Sequence, residues 1–65
     1  MSRIALAITI DGVTTTTVHP NAAEARRAVI AVQEATGFWR RGTGARGAFT
    51  DSGIRIGSYR MWVTA

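Results

Sequence analysis

Between Arg3 and Ile10 the chain alternates strictly, with Ile4, Leu6, Ile8 and Ile10 on one phase and Arg3, Ala5, Ala7 and Thr9 on the other. A period of two predicts a half-buried β-strand. Asp11-Gly12 follows, the dipeptide that best tolerates the positive φ angles of a type I′ turn, and then the β-branched run VTTTTV from Val13 to Val18. Together they predict a hairpin. With a two-residue loop Ile10 faces Val13, Ile8 faces Thr15 and Leu6 faces Thr17 on the core side. Ala5, Ala7, Thr9, Thr14, Thr16 and Val18 are left as a flat, small, weakly polar second face. A slip of one residue would exchange the faces of the second strand, and the threonine run does little to forbid it.

His19-Pro20-Asn21 ends this pattern, and the period changes to that of a helix. Asn21 with Glu24 three residues on resembles a capping box, and Thr36-Gly37 offers a stop with glycine at the left-handed position beyond the last turn. On a helical wheel Ala22, Ala25, Ala28, Val29, Val32, Ala35 and Thr36 share one arc, and Arg26, Arg27, Gln33 and Glu34 share the other. The helix is therefore amphipathic, with a small-residue face that suits close packing on a sheet. Ile30 projects among the polar residues and is a candidate oligomer contact.

Six of the seven glycines come after this helix, among strand fragments and turns. Phe38 to Arg41 reads as a short strand, Gly42 to Gly47 as a loose loop, and Ala48 to Thr50 as a strand leading into the turn sequence Asp51-Ser52-Gly53. The last strand runs from Ile54 towards Val63. Its apolar phase shifts, since Ile54 and Ile56 are even-numbered whereas Tyr59, Met61 and Val63 are odd, and Gly57-Ser58 at the switch predicts a bulge or sharp twist. Trp62 lies on the opposite phase from Tyr59 and Met61. Large apolar groups thus mark both faces of this end, which is either a central strand or a contact with another chain, and Trp62 joins Ile30 as a candidate oligomer contact. The order ββαββ or ββαβββ predicts a small α+β two-layer sandwich, with one helix packed on a mostly antiparallel sheet.

Length sharpens this picture. At 65 residues the chain forms a single domain, 1–65, and one of this size buries only about 60% of the surface its unfolded chain exposes. Small domains usually gain stability from disulfides, metals or oligomerisation. With no cysteine, one histidine and four acidic residues, a homo-oligomer, taken as a homodimer, is the expected route. A hydrophobic fraction of 46% and a charged fraction of 18% are those of a folded domain. The apolar runs Ile4 to Ile8 and Ala28 to Val32 are far shorter than the ~20 residues that span a bilayer, so no membrane partner is expected. The start, MSRIALAITIDG, alternates and lacks a small-residue cleavage pattern, so it reads as a strand and not as a signal peptide; the cytoplasm is the default location.

Charge is distributed unevenly. Arg3, Arg26 and Arg27 cancel Asp11, Glu24 and Glu34 in the first 36 residues, so Arg40, Arg41, Arg46, Arg55 and Arg60 with Asp51 carry the whole net +4. All eight basic residues are arginine, and alanine and glycine are abundant. GC-rich codons produce that bias, which points to an actinobacterial genome or one of its phages.

The inventory for catalysis is nearly empty. His19 stands beside a proline at a strand end, Asp11 and Asp51 have turn roles, and no carboxylate pair, nucleophile-base couple or cluster of three metal ligands is legible. The glycines of GTGARG resemble a phosphate-binding nest, but a P-loop needs a GK[ST] ending and a following helix. No enzyme, cofactor, metal or small-molecule substrate is expected. What remains is binding: Phe38 and Trp39 beside Arg40-Arg41, then Arg46 at a glycine-rich tip, is a composition suited to phosphate contact and base stacking. The expected activity is that of a small basic nucleic-acid-binding or regulatory protein, with Trp39, Arg40, Arg41, Arg46, Arg55 and Arg60 as contacts. The alternative is a protein-protein interaction module, such as a phage-encoded modulator of a host protein, with exposed aromatics as its anchors.

Overall fold

A computed structural model of the chain describes residues 2–64, residue 43 by its backbone alone. Strands β1 (Arg3–Ile10) and β2 (Val13–His19) precede a helix α1 (Ala22–Thr36), and β3 (Trp39–Thr43), β4 (Arg46–Asp51) and β5 (Ile54–Thr64) follow it. All five strands form one antiparallel sheet in the order β2-β1-β5-β4-β3. The fold is α+β, with the longer of the two expected element orders.

The first hairpin has the register its alternation predicts, with Ile10 opposite Val13, Ile8 opposite Thr15 and Leu6 opposite Thr17. Asp11 and Gly12 both adopt positive φ, 51° and 78°, which is what a two-residue type I′ connection demands. Pairing in the sheet then sorts the side chains. Residues directly opposite one another share a face, so Ile4, Leu6, Ile8 and Ile10 of β1 are joined by Val63, Met61 and Tyr59 of β5 and by Phe49 of β4. Leu6, Val29, Phe49 and Tyr59 form the buried centre, and Ile8, Ala28, Val32, Phe38, Ile56 and Met61 pack around it. The Phe49 and Tyr59 rings meet in a tilted arrangement with centroids 5.5 Å apart.

Helix α1 lies on this face against β1 and β2. Asn21 caps its start, the side-chain Oδ1 accepting a hydrogen bond from the Glu24 amide at 2.9 Å. Gly37 ends it with φ 74°, its amide donating to the Gln33 carbonyl at 2.9 Å. Ala25 and Val29 are fully buried and Ala28 and Val32 partly so. Ala22, Ala35 and Thr36, expected on the same inner arc, lie in the first and last turns and are exposed. Ile30 is half-buried rather than displayed.

Two details of the second half differ from expectation. Gly42 to Gly47 is a tight hairpin and not a loose loop: Gly42 pairs with Gly47, Thr43 with Arg46, and only Gly44-Ala45 forms the turn. Gly44 takes φ 61°, and paired glycines let the two backbones and the Tyr59 ring crowd together. A Cβ on Gly47 would stand 2.5 Å from the Tyr59 hydroxyl. The phase switch in β5 is a register irregularity, as expected, but it falls at Ile56, where Phe49 pairs with Gly57 and Thr50 with Arg55. That extra residue directs both Ile56 and the Tyr59 set towards the helix. β5 is the central strand, flanked by β1 and β4; its Tyr59 and Met61 pack under the helix, whereas Trp62 is partly exposed on the other face.

Candidate functional site

Among the described residues no element covers the sheet face opposite the helix. Ladder pairing assigns to it Trp39 and Arg41 from β3, Arg46, Ala48 and Thr50 from β4, and Arg55, Ser58, Arg60 and Trp62 from β5. Arg3, Ala5, Ala7 and Thr9 of β1 and Thr14, Thr16 and Val18 of β2 continue it. Five arginines therefore stand on one face. None of the four acidic residues joins them: Asp11 is in a turn, Glu24 and Glu34 are on the helix, and Asp51 pairs with Ile54 on the other phase.

Four of these arginines, Arg41, Arg46, Arg55 and Arg60, line a single open concavity of about 580 Å³. Its form follows from side-chain size. Ala7, Ala48 and Ser58 make a low floor, with the Thr9 and Thr14 hydroxyls at one side, and the long arginine side chains rise around it. Thr9 and Thr14 hydrogen-bond to each other through their hydroxyls at 2.7 Å. Arg46 and Arg60 lie directly opposite across the β4–β5 ladder. Like charges so placed repel, and a bound anion removes that cost. Among the described residues the only ion pair is Arg27 with Glu24 on the helix, 3.3 Å long, so no carboxylate neutralises the concavity.

Tryptophans stand at both ends of this cluster. Trp39 is 72% exposed on the edge strand, in the same cross-strand row as Thr50 and Arg55. Trp62 is 41% exposed towards the other end of β5, with the Arg60 guanidinium carbon 5.1 Å from its ring centroid. Such a contact orients the guanidinium and presents an aromatic surface beside it. Ala5, opposite Trp62, and Ala7, opposite Arg60, are thereby buried although no second layer covers them.

Of the residues expected as contacts, Trp39, Arg41, Arg46, Arg55 and Arg60 come together on this face, and Trp62 joins them. Arg40 is elsewhere. It sits opposite Phe49 on the helix side, where its Nε donates to Gln33 Oε1 at 3.3 Å and its Nη1 approaches the Tyr59 hydroxyl at 3.5 Å. It fastens the edge strand to the helix. Arg3, absent from the expected set, occupies the open face near Thr64. Its phase in β1 already assigned it to the face without the isoleucines.

Among the described residues no group of three or more His, Cys, Asp or Glu side chains is placed to hold a metal, and no helix is long and apolar enough to cross a membrane. Comparison with known protein families, curated proteins and solved structures finds no match.

Proposed function

We propose that the chain is a nucleic-acid-binding protein that holds a single strand across the open face of its sheet. The carrying observation is the convergence of Arg41, Arg46, Arg55 and Arg60 on one concavity without an acidic partner. Guanidinium groups suit phosphate oxygens because they offer planar, paired donors. Trp39 and Trp62 supply stacking surfaces at either end of the charged patch, the combination that single-strand binders use. A single strand is favoured over a duplex because the sheet offers a shallow platform, while the helix that a major groove would accept packs on the opposite face.

The chemistry needs no catalytic group. Phosphates would neutralise the Arg46–Arg60 repulsion, and bases would lie on the tryptophans above a floor of alanine and serine. Titration of a labelled single-stranded oligonucleotide at several salt concentrations tests this. The expected result is affinity that falls linearly on a log–log plot, with a slope lowered by roughly one for each arginine of the concavity replaced by glutamine. No binding at low salt, or the same slope for Arg46→Gln/Arg60→Gln, would refute it. A polyglutamate chain in place of the oligonucleotide gives the rival outcome. Equal affinity for it would transfer the surface to an acidic protein partner.

A further inference from the structure

We infer that two copies of the chain associate through strand β2, which pairs with itself antiparallel about Thr16 and joins their sheets edge to edge. Turn geometry fixes which groups are available. The two-residue connection at Asp11-Gly12 makes Ile10 and Val13 a hydrogen-bonded pair, and the pattern alternates from there. Thr15, Thr17 and His19 therefore bond to β1. Thr14, Thr16 and Val18 face Thr9, Ala7 and Ala5 in the non-bonded positions, so their amides and carbonyls point away from the sheet.

This edge lacks the devices that keep strands apart. From Val13 to Val18 it carries no charge, proline or bulge, and every side chain is exposed. Val13 and Val18 at its ends are 68% and 55% exposed. The other edge, β3, carries Arg40 and Arg41 and is interrupted by Gly42 with φ 147°. Charges and irregular backbone of that kind block strand addition.

Identity of occupant follows from symmetry and charge. Pairing centred on Thr16 is the register that overlaps the whole strand, and it sets each outward group against another: Thr16 against Thr16, Thr14 against Val18. On the helix side Val13 comes opposite His19 and Thr15 opposite Thr17. An apolar groove of about 450 Å³ runs along this side of β2, lined by Ile8, Ile10, Val13, Ala28 and Val32 among others. Edge pairing brings the second copy's strand against its open flank. A face-to-face dimer through the open sheet would instead stack two arginine sets. The uncharged β2 edge is where a chain of net charge +4 meets its own copy with least repulsion.

The inference is independent of nucleic-acid binding and is tested without it. Light scattering of the full chain across a dilution series should report a dimer that dissociates on dilution. Thr16→Pro removes an outward amide that β1 does not use, and should give a monomer with an unchanged far-UV spectrum. Should that variant fail to fold, amide exchange on the wild type decides: the Thr14, Thr16 and Val18 amides should be protected in concentrated solution and lose protection on dilution. A wild-type monomer at every concentration, a dimer that survives Thr16→Pro, or fast exchange of all three amides in a dimer would overturn it.

Discussion

The two faces of this sheet are built from the same strands and follow opposite rules. On the helix side, Leu6, Phe49 and Tyr59 are almost completely buried and Val29 closes over them. On the open side arginines and two tryptophans stand beside alanine, serine and threonine. The first face has one solution for its packing. The second has spare charge, two exposed rings and, among the described residues, no carboxylate paired with its guanidiniums. A face that only needed to be wet would not require five arginines and no acid. Their separation predicts that substitutions on the helix side lower stability and spare binding, whereas those on the open side lower binding and do not destabilise the fold.

The largest effect that would break this division is at Phe49. Phe49→Ala empties a fully buried site and should cost about 3–5 kcal/mol in urea denaturation, a large share of what a small domain possesses. Trp39→Ala is the opposite case. Since Trp39 is largely exposed, stability should change by no more than about 0.5 kcal/mol, while oligonucleotide affinity falls by about 1–3 kcal/mol. A destabilising Trp39→Ala would show that the open face also carries the fold.

Smaller effects sharpen the contrast. Asn21→Ala removes the helix cap, and the thermal midpoint should report a loss of about 1 kcal/mol with binding unchanged. Arg46→Gln should act with opposite sign on the two properties. It weakens binding, yet relief of the repulsion from Arg60 should raise stability in the free protein by about 0.2–1 kcal/mol. That gain should vanish in high salt, where the pair is screened.

Much of the helix side was legible in the sequence because local signals there agree. The alternation of Ile4 to Ile10, the Asp-Gly turn and the Asn21 and Gly37 caps each specify a neighbour a few residues away, and all point to the same register. The open face was legible only as a list of arginines. Which of them share it depends on pairing among β3, β4 and β5, and so on whether Gly42 to Gly47 is a loop or a ladder. Composition favoured a loop, but mutual close approach of Gly42 and Gly47 under the Tyr59 ring makes it a hairpin. Arg40 shows the limit of sequence neighbourhood. Adjacent to Arg41, it faces the other way, and its partner Gln33 lies a helix end and a turn earlier in the chain. Arg3, by contrast, could have been placed with the others from the phase of β1 alone.

Binding is assigned to the open face of the sheet. Its most direct test is a backbone and indole chemical-shift map of the protein titrated with a short single-stranded oligonucleotide at low salt. Perturbations are expected at Trp39, Arg41, Arg46, Arg55, Arg60 and Trp62, with Val29, Ala25 and the outer surface of α1 unmoved. Shifts confined to the helix and the groove beside β2, or none at all, would contradict it.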